Sequence, residues 1–281
     1  MIAGGPTTIG TRLAHLRQDV FILGFRFNPC TGPEVVELVA DAVENGRRLI
    51  MANANLHGLS TMYQSPAMAA LLTQPDTLVM IDSMPILFLA TLTGKPMPRA
   101  KRSTSLDFYD LLFKVGSAHG WKFGFLGGTQ DVVDRGLDVL RGRFPDIQID
   151  GRSGYFDMND RSPGSAYDNV LKWAAAGSHD VLIVGMGMPR QEEWIHDVQH
   201  RVGTRVFLPA GAYLDYQVGA QKAAPRWLGQ IGFEWAYRLL LAPWRLSYRY
   251  LIEPLLLLRR LIMDRHPQES YRQSRLQARE P

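Results

Sequence analysis

The 281-residue chain carries a single cysteine, Cys30, which excludes an intramolecular disulfide framework. No Cys/His spacing resembles a structural zinc site. The opening stretch "MIAGGPTTIGTRLAHLRQDVF" lacks the basic start, apolar core and small-residue cleavage site of a secretory signal. A reducing, cytoplasmic setting is therefore expected. Long uncharged apolar runs are missing as well. Beyond Arg245 the longest is "PLLLL", far short of the roughly 20 residues needed to span a bilayer. No internal repeat or low-complexity segment interrupts the chain.

An overall charge excess is also lacking, since 31 Lys and Arg against 27 Asp and Glu leave +4. The distribution is uneven. From Lys222 to Pro281 there are 11 basic and 5 acidic residues, so the whole basic excess lies in the last fifth of the chain. That asymmetry points to a polyanionic partner, either an acidic membrane surface or nucleic acid.

What is present is an alternation of short apolar runs and helix-like segments. "VFILGFRF" (20–27) reads as one buried strand, followed by a helix closed by Gly46. Further strands are read at 48–52, 77–81, 122–128, 147–149, 180–187 and 205–212. Helices are read between them, over about 55–73, 107–118, 166–176 and 189–200, with another ending before Pro145. Strands alternating with helices of this length predict an α/β, Rossmann-like, mostly parallel sheet with helices on both faces. After residue 221 the character changes. Trp227, Trp235 and Trp244 and eight basic residues fall within 222–265, and from Pro243 onward Trp244, Tyr248, Leu251 and Leu255 recur at helical spacing. The predicted organisation is a lead-in (1–20), an α/β domain (21–221), a basic amphipathic segment (222–265) and a polar tail (266–281).

Ligands of a parallel sheet bind beyond the carboxyl ends of its strands, so the residues just after each apolar run are the candidates. These are Asn53, Asn55 and His57; Asp82; Gly127 and Gly128; and Gly185, Gly187, Gln191 and Glu192. Glycines admit a phosphate close to backbone N–H groups, and a following helix adds its partial positive charge. Each signal has a plainer account. The glycines serve equally as tight strand-to-helix turns, Asp82 as a cap for the helix near Pro85, Gln191 and Glu192 as first-turn residues, and His57 as a packed or capping side chain. A nicotinamide-binding reading of "GMGMPRQ" fails, because Arg190 stands where the fingerprint needs its third glycine. A metal site would want paired carboxylates after a strand, and only the turn-like "FDMND" comes near. No metal is expected.

Taken together, "MANANLHGL", "VMIDSMP", "FLGG", "VLIVGMGMPRQEEWI", "AGAYLDYQVG" and "GFEWAYRLLLAPWRLSYRYL" resemble the TagA/CpsF/WecG glycosyltransferase family, with closest flavour to its GumM-like exopolysaccharide branch. The resemblance runs from about Phe21 to Leu251. It implies an inverting, metal-independent transfer of a sugar from a UDP-sugar to a polyprenyl-diphosphate-linked saccharide, the sugar being of the glucose or N-acetylmannosamine type. No cofactor is implied. It also implies a peripheral seat on the inner face of the cytoplasmic membrane, held by the basic tail. Asp82 falls on the family's catalytic base and Arg102 on a conserved-pattern arginine, with Asn53 at the position commonly threonine. Ser83 and Ser105 replace family glycines. Gly127, Gly128, Gly185 and Gly187 would face the diphosphate, Asn55 the substrate, Gln191 the uracil or sugar, and Glu192 the ribose hydroxyls. Arg238, Arg245 and Arg249 would meet anionic headgroups or the acceptor diphosphate. Under this resemblance no nucleic-acid partner is expected, although the Arg/aromatic tail taken alone suits one. Association with a second copy of the chain stays open.

Overall fold

The computed structural model describes residues 16–222, 224, 225, 228 and 233–263. Strands β3 (Leu49–Ala54), β4 (Thr77–Ile81), β5 (Lys122–Gly127), β6 (Gln148–Arg152), β7 (Val181–Gly185) and β8 (Val206–Pro209) form one sheet. Their order is β4-β3-β8-β7-β5-β6, and every neighbouring pair is parallel. The inner strands are apolar at nearly every position because both faces are covered. Met51, Met80 and Ile183 enter one core, while Ile50, Val79 and Leu182, one residue away in each strand, enter the other. Edge strand β6, with its "QIDGR" sequence, instead alternates exposed and buried.

Helices α1 (Gly32–Glu44), α5 (Ser105–Ala118) and α6 (Gln130–Arg143) cover the first face. The second is covered by α2 (Leu56–Met62), α3 (Pro66–Leu72), α4 (Met84–Leu92), α7 (Ala166–Ala176) and α8 (Arg190–Val198). Short helix α9 (Tyr213–Gln217) follows β8. These elements agree with the predicted Rossmann-like class.

The run at 20–27 differs from its reading as one strand. It is a hairpin of β1 (Val20–Ile22) and β2 (Phe25–Phe27), separate from the main sheet. Leu23 and Gly24, with φ of 51° and 82°, supply the left-handed pair that a two-residue turn demands. Strand periodicity is the same on either side of such a turn, so apolar content alone does not reveal it. Asn28 then ties the hairpin to β4: its N–H donates to Val79 O at 2.7 Å, and its Oδ1 accepts from Val79 N at 3.0 Å.

The basic segment forms α10 (Glu234–Leu241), then a continuous helical stretch made of α11 (Pro243–Ser247), a π-helical turn (Tyr248–Ile252) and α12 (Glu253–Met263). Trp244, Tyr248, Leu251 and Leu255 are all exposed, Trp244 at 97%. The opposite side is docked, with Leu257 only 2% exposed inside the second core. This segment therefore joins the α/β core rather than trailing from it. Among the described residues no helix is long and apolar enough to cross a membrane.

Candidate functional site

A cavity of about 1270 Å³ opens at the carboxyl ends of β3, β4, β7 and β8 and is closed on one side by the C-terminal helices. Its first wall comes from β3 and β4. Asn53 is near the end of β3 and buried, with an Oδ1 that has no hydrogen-bond partner. Asn55 caps α2, its Oδ1 accepting from Gly58 N at 2.9 Å, and its Nδ2 donates to Asp82 Oδ2 at 3.2 Å. Asp82 follows β4 directly. The cap position of α4 belongs to Ser83, one residue on, so the carboxylate is not used as a cap and its Oδ1 lacks a partner. Burial pushes the Asp82 carboxyl above its ordinary range, partly opposed by the Asn55 bond and by the charges of Arg249 and Arg238.

Ser83 has φ −136°, and Ser105 starts α5. Neither position is left-handed, and serine is accommodated where the family pattern has glycine.

The cationic wall is assembled from distant segments. Arg102 lies next to β4 because Ser103 N donates to Ile81 O at 2.9 Å, and Ile81 and Arg102 form a parallel bridge. It reaches Glu234 at 3.5 Å, and Arg238 pairs with the same carboxylate from one helical turn away. Arg249 also lines the cavity, with a buried Nε that has no hydrogen-bond partner. Arg245 lies on α11, and its side chain is outside the described residues.

The glycine-bearing strand ends divide. Gly128, Gly185 and Gly187 line the cavity, Gly128 and Gly187 with φ of 64° and 77°. Gly127 does not. A Cβ there would lie 2.5 Å from Gly185 O, so it serves the close approach of β5 and β7. Gln191 reaches the cavity from the first turn of α8, whereas Glu192 is buried beneath the lining. Gln191 Nε2 donates to Glu192 Oε1 at 2.7 Å, which leaves Gln191 Oε1 unpartnered. Burial raises the Glu192 carboxyl to about 8, with a further push from the Asp82 charge. Glu192 is thus placed to orient Gln191 and is not itself on the cavity wall.

Several contributors escape a reading by strand ends. Arg190 bonds Gly154 O at 3.2 Å and also Phe156 O, holding a loop at the rim, and stacks on the Phe156 ring. Glu234 organises two arginines, and Tyr250 lines the mouth. Glu253 Oε2 lies 2.7 Å from Nδ1 of His57, itself one of the strand-end candidates. Arg190 lies inside the glycine-rich motif and Glu234 and Tyr250 inside the segment "GFEWAYRLLLAPWRLSYRYL", but nothing local in those segments marks the partners they meet. Among the described residues no group of three His, Cys, Asp or Glu side chains converges as a metal set would.

Fold and cavity together define an α/β protein with a ligand site at the carboxyl edge of a parallel sheet, a buried carboxylate at one side and guanidinium groups at another. The chain belongs to the glycosyl transferase WecG/TagA/CpsF family, whose family model matches residues 20–271. Among its curated relatives are the N-acetylglucosaminyldiphosphoundecaprenol N-acetyl-beta-D-mannosaminyltransferases of Staphylococcus aureus strains NCTC 8325 and MRSA252. Each is 28% identical over 226 residues, covering 79% of this chain and 84% of the relative.

Proposed function

We propose that this glycosyltransferase moves a sugar from a UDP-sugar to a polyprenyl-diphosphate-linked saccharide in cell-surface or exopolysaccharide synthesis, with inversion and without a metal. The names of the relatives favour an N-acetylmannosamine-type sugar over glucose and an N-acetylglucosamine-diphospholipid acceptor. One observation carries the reading: Asp82, with a free Oδ1, shares its cavity with Arg102, Arg238 and Arg249.

In the transfer, the acceptor hydroxyl oxygen attacks the anomeric carbon and its proton passes to Asp82. The bond between that carbon and the UDP oxygen breaks on the opposite face, and the electron pair leaves with the diphosphate. Arginines and the backbone at Gly128, Gly185 and Gly187 stabilise the charge that develops there. Asn53, with its unpaired Oδ1, accepts from a substrate hydroxyl.

The apolar outer stripe of the C-terminal helices suits a bilayer surface and arginines suit anionic headgroups, which brings the enzyme to a substrate confined to the membrane. The inner face of the cytoplasmic membrane is the expected seat. The test is a panel of radiolabelled UDP-sugars with polyprenyl-diphosphate-N-acetylglucosamine in vesicles, beside Asp82→Asn. Loss of a positioned general base reduces the rate by about 10²- to 10⁴-fold. Near wild-type transfer by Asp82→Asn would remove the base assignment.

A further inference from the structure

His57 was singled out by its position after β3, yet the transfer chemistry leaves it without a task. Its partner is 196 residues away, Glu253 at the start of α12. Glu253 is buried, with a side chain 6% exposed, and the His57 side chain is 24% exposed. The two elements they join are those that carry the two halves of the site. His57 sits two residues after Asn55, which caps the same helix and holds Asp82. Glu253 sits one turn after Arg249 and one turn before Leu257 on the continuous helical stretch. Arg249, Glu253 and Leu257 therefore form one inward stripe: a guanidinium at the cavity, a carboxylate on the histidine and a leucine in the core. Trp244, Tyr248, Leu251 and Leu255 occupy the exposed side of the same stretch.

We propose that His57 and Glu253 are positioning residues whose bond holds the membrane-side helix against the carboxyl end of β3, and so keeps Arg249 at the cavity that contains Asp82. The functional half of this statement rests on the transfer reading above. Three observations distinguish the contact from an ordinary surface pair. It lies out of bulk water, where an interaction between polar groups is less screened. It is a hydrogen bond between α12 and α2, which also meet through apolar packing such as Leu257 and through Arg260 over the ring of Tyr63 at 5.5 Å. Burial and then the Arg249 charge hold the His57 ring below its ordinary value, and a ring carrying its proton on Nδ1 donates to the Glu253 carboxyl group. Arg249 stands one turn before Glu253 on the same stretch, and its buried Nε has no hydrogen-bond partner.

An error of about 1 Å in the placement of a charge-stabilising group reduces rate on the order of 100-fold, so a loosened helix should be visible in kinetics. The experiment compares full-length wild type, His57→Phe and His57→Asn. Phenylalanine keeps bulk and loses the donor, whereas the asparagine amide places a donor near the position of Nδ1. Two readouts are taken: amide hydrogen exchange over 249–257 with 77–81 as internal reference, and transfer kinetics in vesicles with polyprenyl-diphosphate-N-acetylglucosamine.

For His57→Phe, the expected result is faster exchange in 249–257 with 77–81 unchanged, and a rise of about 10- to 100-fold in KM for the lipid-linked acceptor that exceeds the fall in kcat. His57→Asn should return both toward wild type. Unchanged exchange in 249–257 would overturn the proposal, as would equal defects in the two variants, which would mean that only packing of the ring matters. If His57→Phe does not fold, His57→Asn beside Glu253→Met, which keeps bulk and removes the acceptor, decides by the same exchange measurement: faster exchange in Glu253→Met alone supports the bond, and no difference overturns it. Absence of transfer by wild type would count against the enzymatic reading alone, because the exchange result stands without it.

Discussion

Asn55 and Asp82 are joined across the ends of two neighbouring parallel strands, Asn55 Nδ2 donating to Asp82 Oδ2 at 3.2 Å while Asp82 Oδ1 stays buried and unpartnered. One oxygen is held and the other is left for a proton. The same asparagine caps α2 through its Oδ1, so a single side chain fixes both the helix start and the orientation of the carboxylate.

Asn55→Ala should therefore affect two properties at once. Loss of the cap costs about 1 kcal/mol, measured by denaturant unfolding. Loss of the anchor lets the carboxylate rotate, and kcat/KM should fall by roughly 10- to 100-fold, since small errors of placement are expensive in rate. Asn55→Asp keeps the cap and removes the donor, so it should retain stability more fully than activity.

The pH–rate profile should show its acid limb above the ordinary carboxylate range, because burial raises the Asp82 carboxyl and the base works only when deprotonated. Activity rises with pH through that limb. Arg249 opposes the rise in pKa, so Arg249→Gln removes a stabilising charge and should move the limb to higher pH. Measurement of kcat/KM against pH for both proteins checks the direction.

Glu192 makes stability depend on pH in the opposite sense to a salt-bridged carboxylate. Its folded value is raised to about 8, so between the unfolded value, about 4.5, and 8 the native state binds more protons than the unfolded chain. Its contribution is complete below the unfolded value and is lost as pH rises toward and through 8. Glu192→Gln should flatten urea-derived stability across that window, removing on the order of a few kcal/mol of variation.

Gly127→Ala should destabilise by about 1–3 kcal/mol or more, because the new Cβ would lie 2.5 Å from Gly185 O, a backbone atom of the neighbouring strand. Gly142→Ala is the control. It lies in α6 with nothing within 4 Å of an added Cβ, and should be neutral or stabilising by up to about 1 kcal/mol. Thermal unfolding of the pair separates close packing from backbone freedom.

Trp244→Ser with Leu255→Ser should weaken binding to vesicles containing anionic lipid and leave the unfolding temperature nearly unchanged, since both side chains are exposed. Cosedimentation with vesicles measures it. Removing the whole segment from residue 222 would be a poorer test, because it also strips Leu257 out of the core.

Much of the site was legible because strand ends are local features. "TLVMI" followed by Asp82, "LIMANA" followed by Asn55, and "VLIVG" followed by the glycine-rich turn each announce a buried strand and the residue that emerges from it. The hairpin at 20–27 was not legible, since two short apolar strands and one longer strand have the same periodicity.

By itself the sequence determined the sheet's two-faced burial, the location of its carboxyl edge and the apolar stripe of the C-terminal helix, all consequences of residue periodicity. Tertiary structure alone decided the rest. It brought Arg102 beside Ile81, set Glu192 beneath the cavity wall instead of on it, assigned Gly127 to a strand contact, and joined His57 to Glu253. Each of these depends on which segments become neighbours in space, and spacing along one segment carries no record of the partner it will meet.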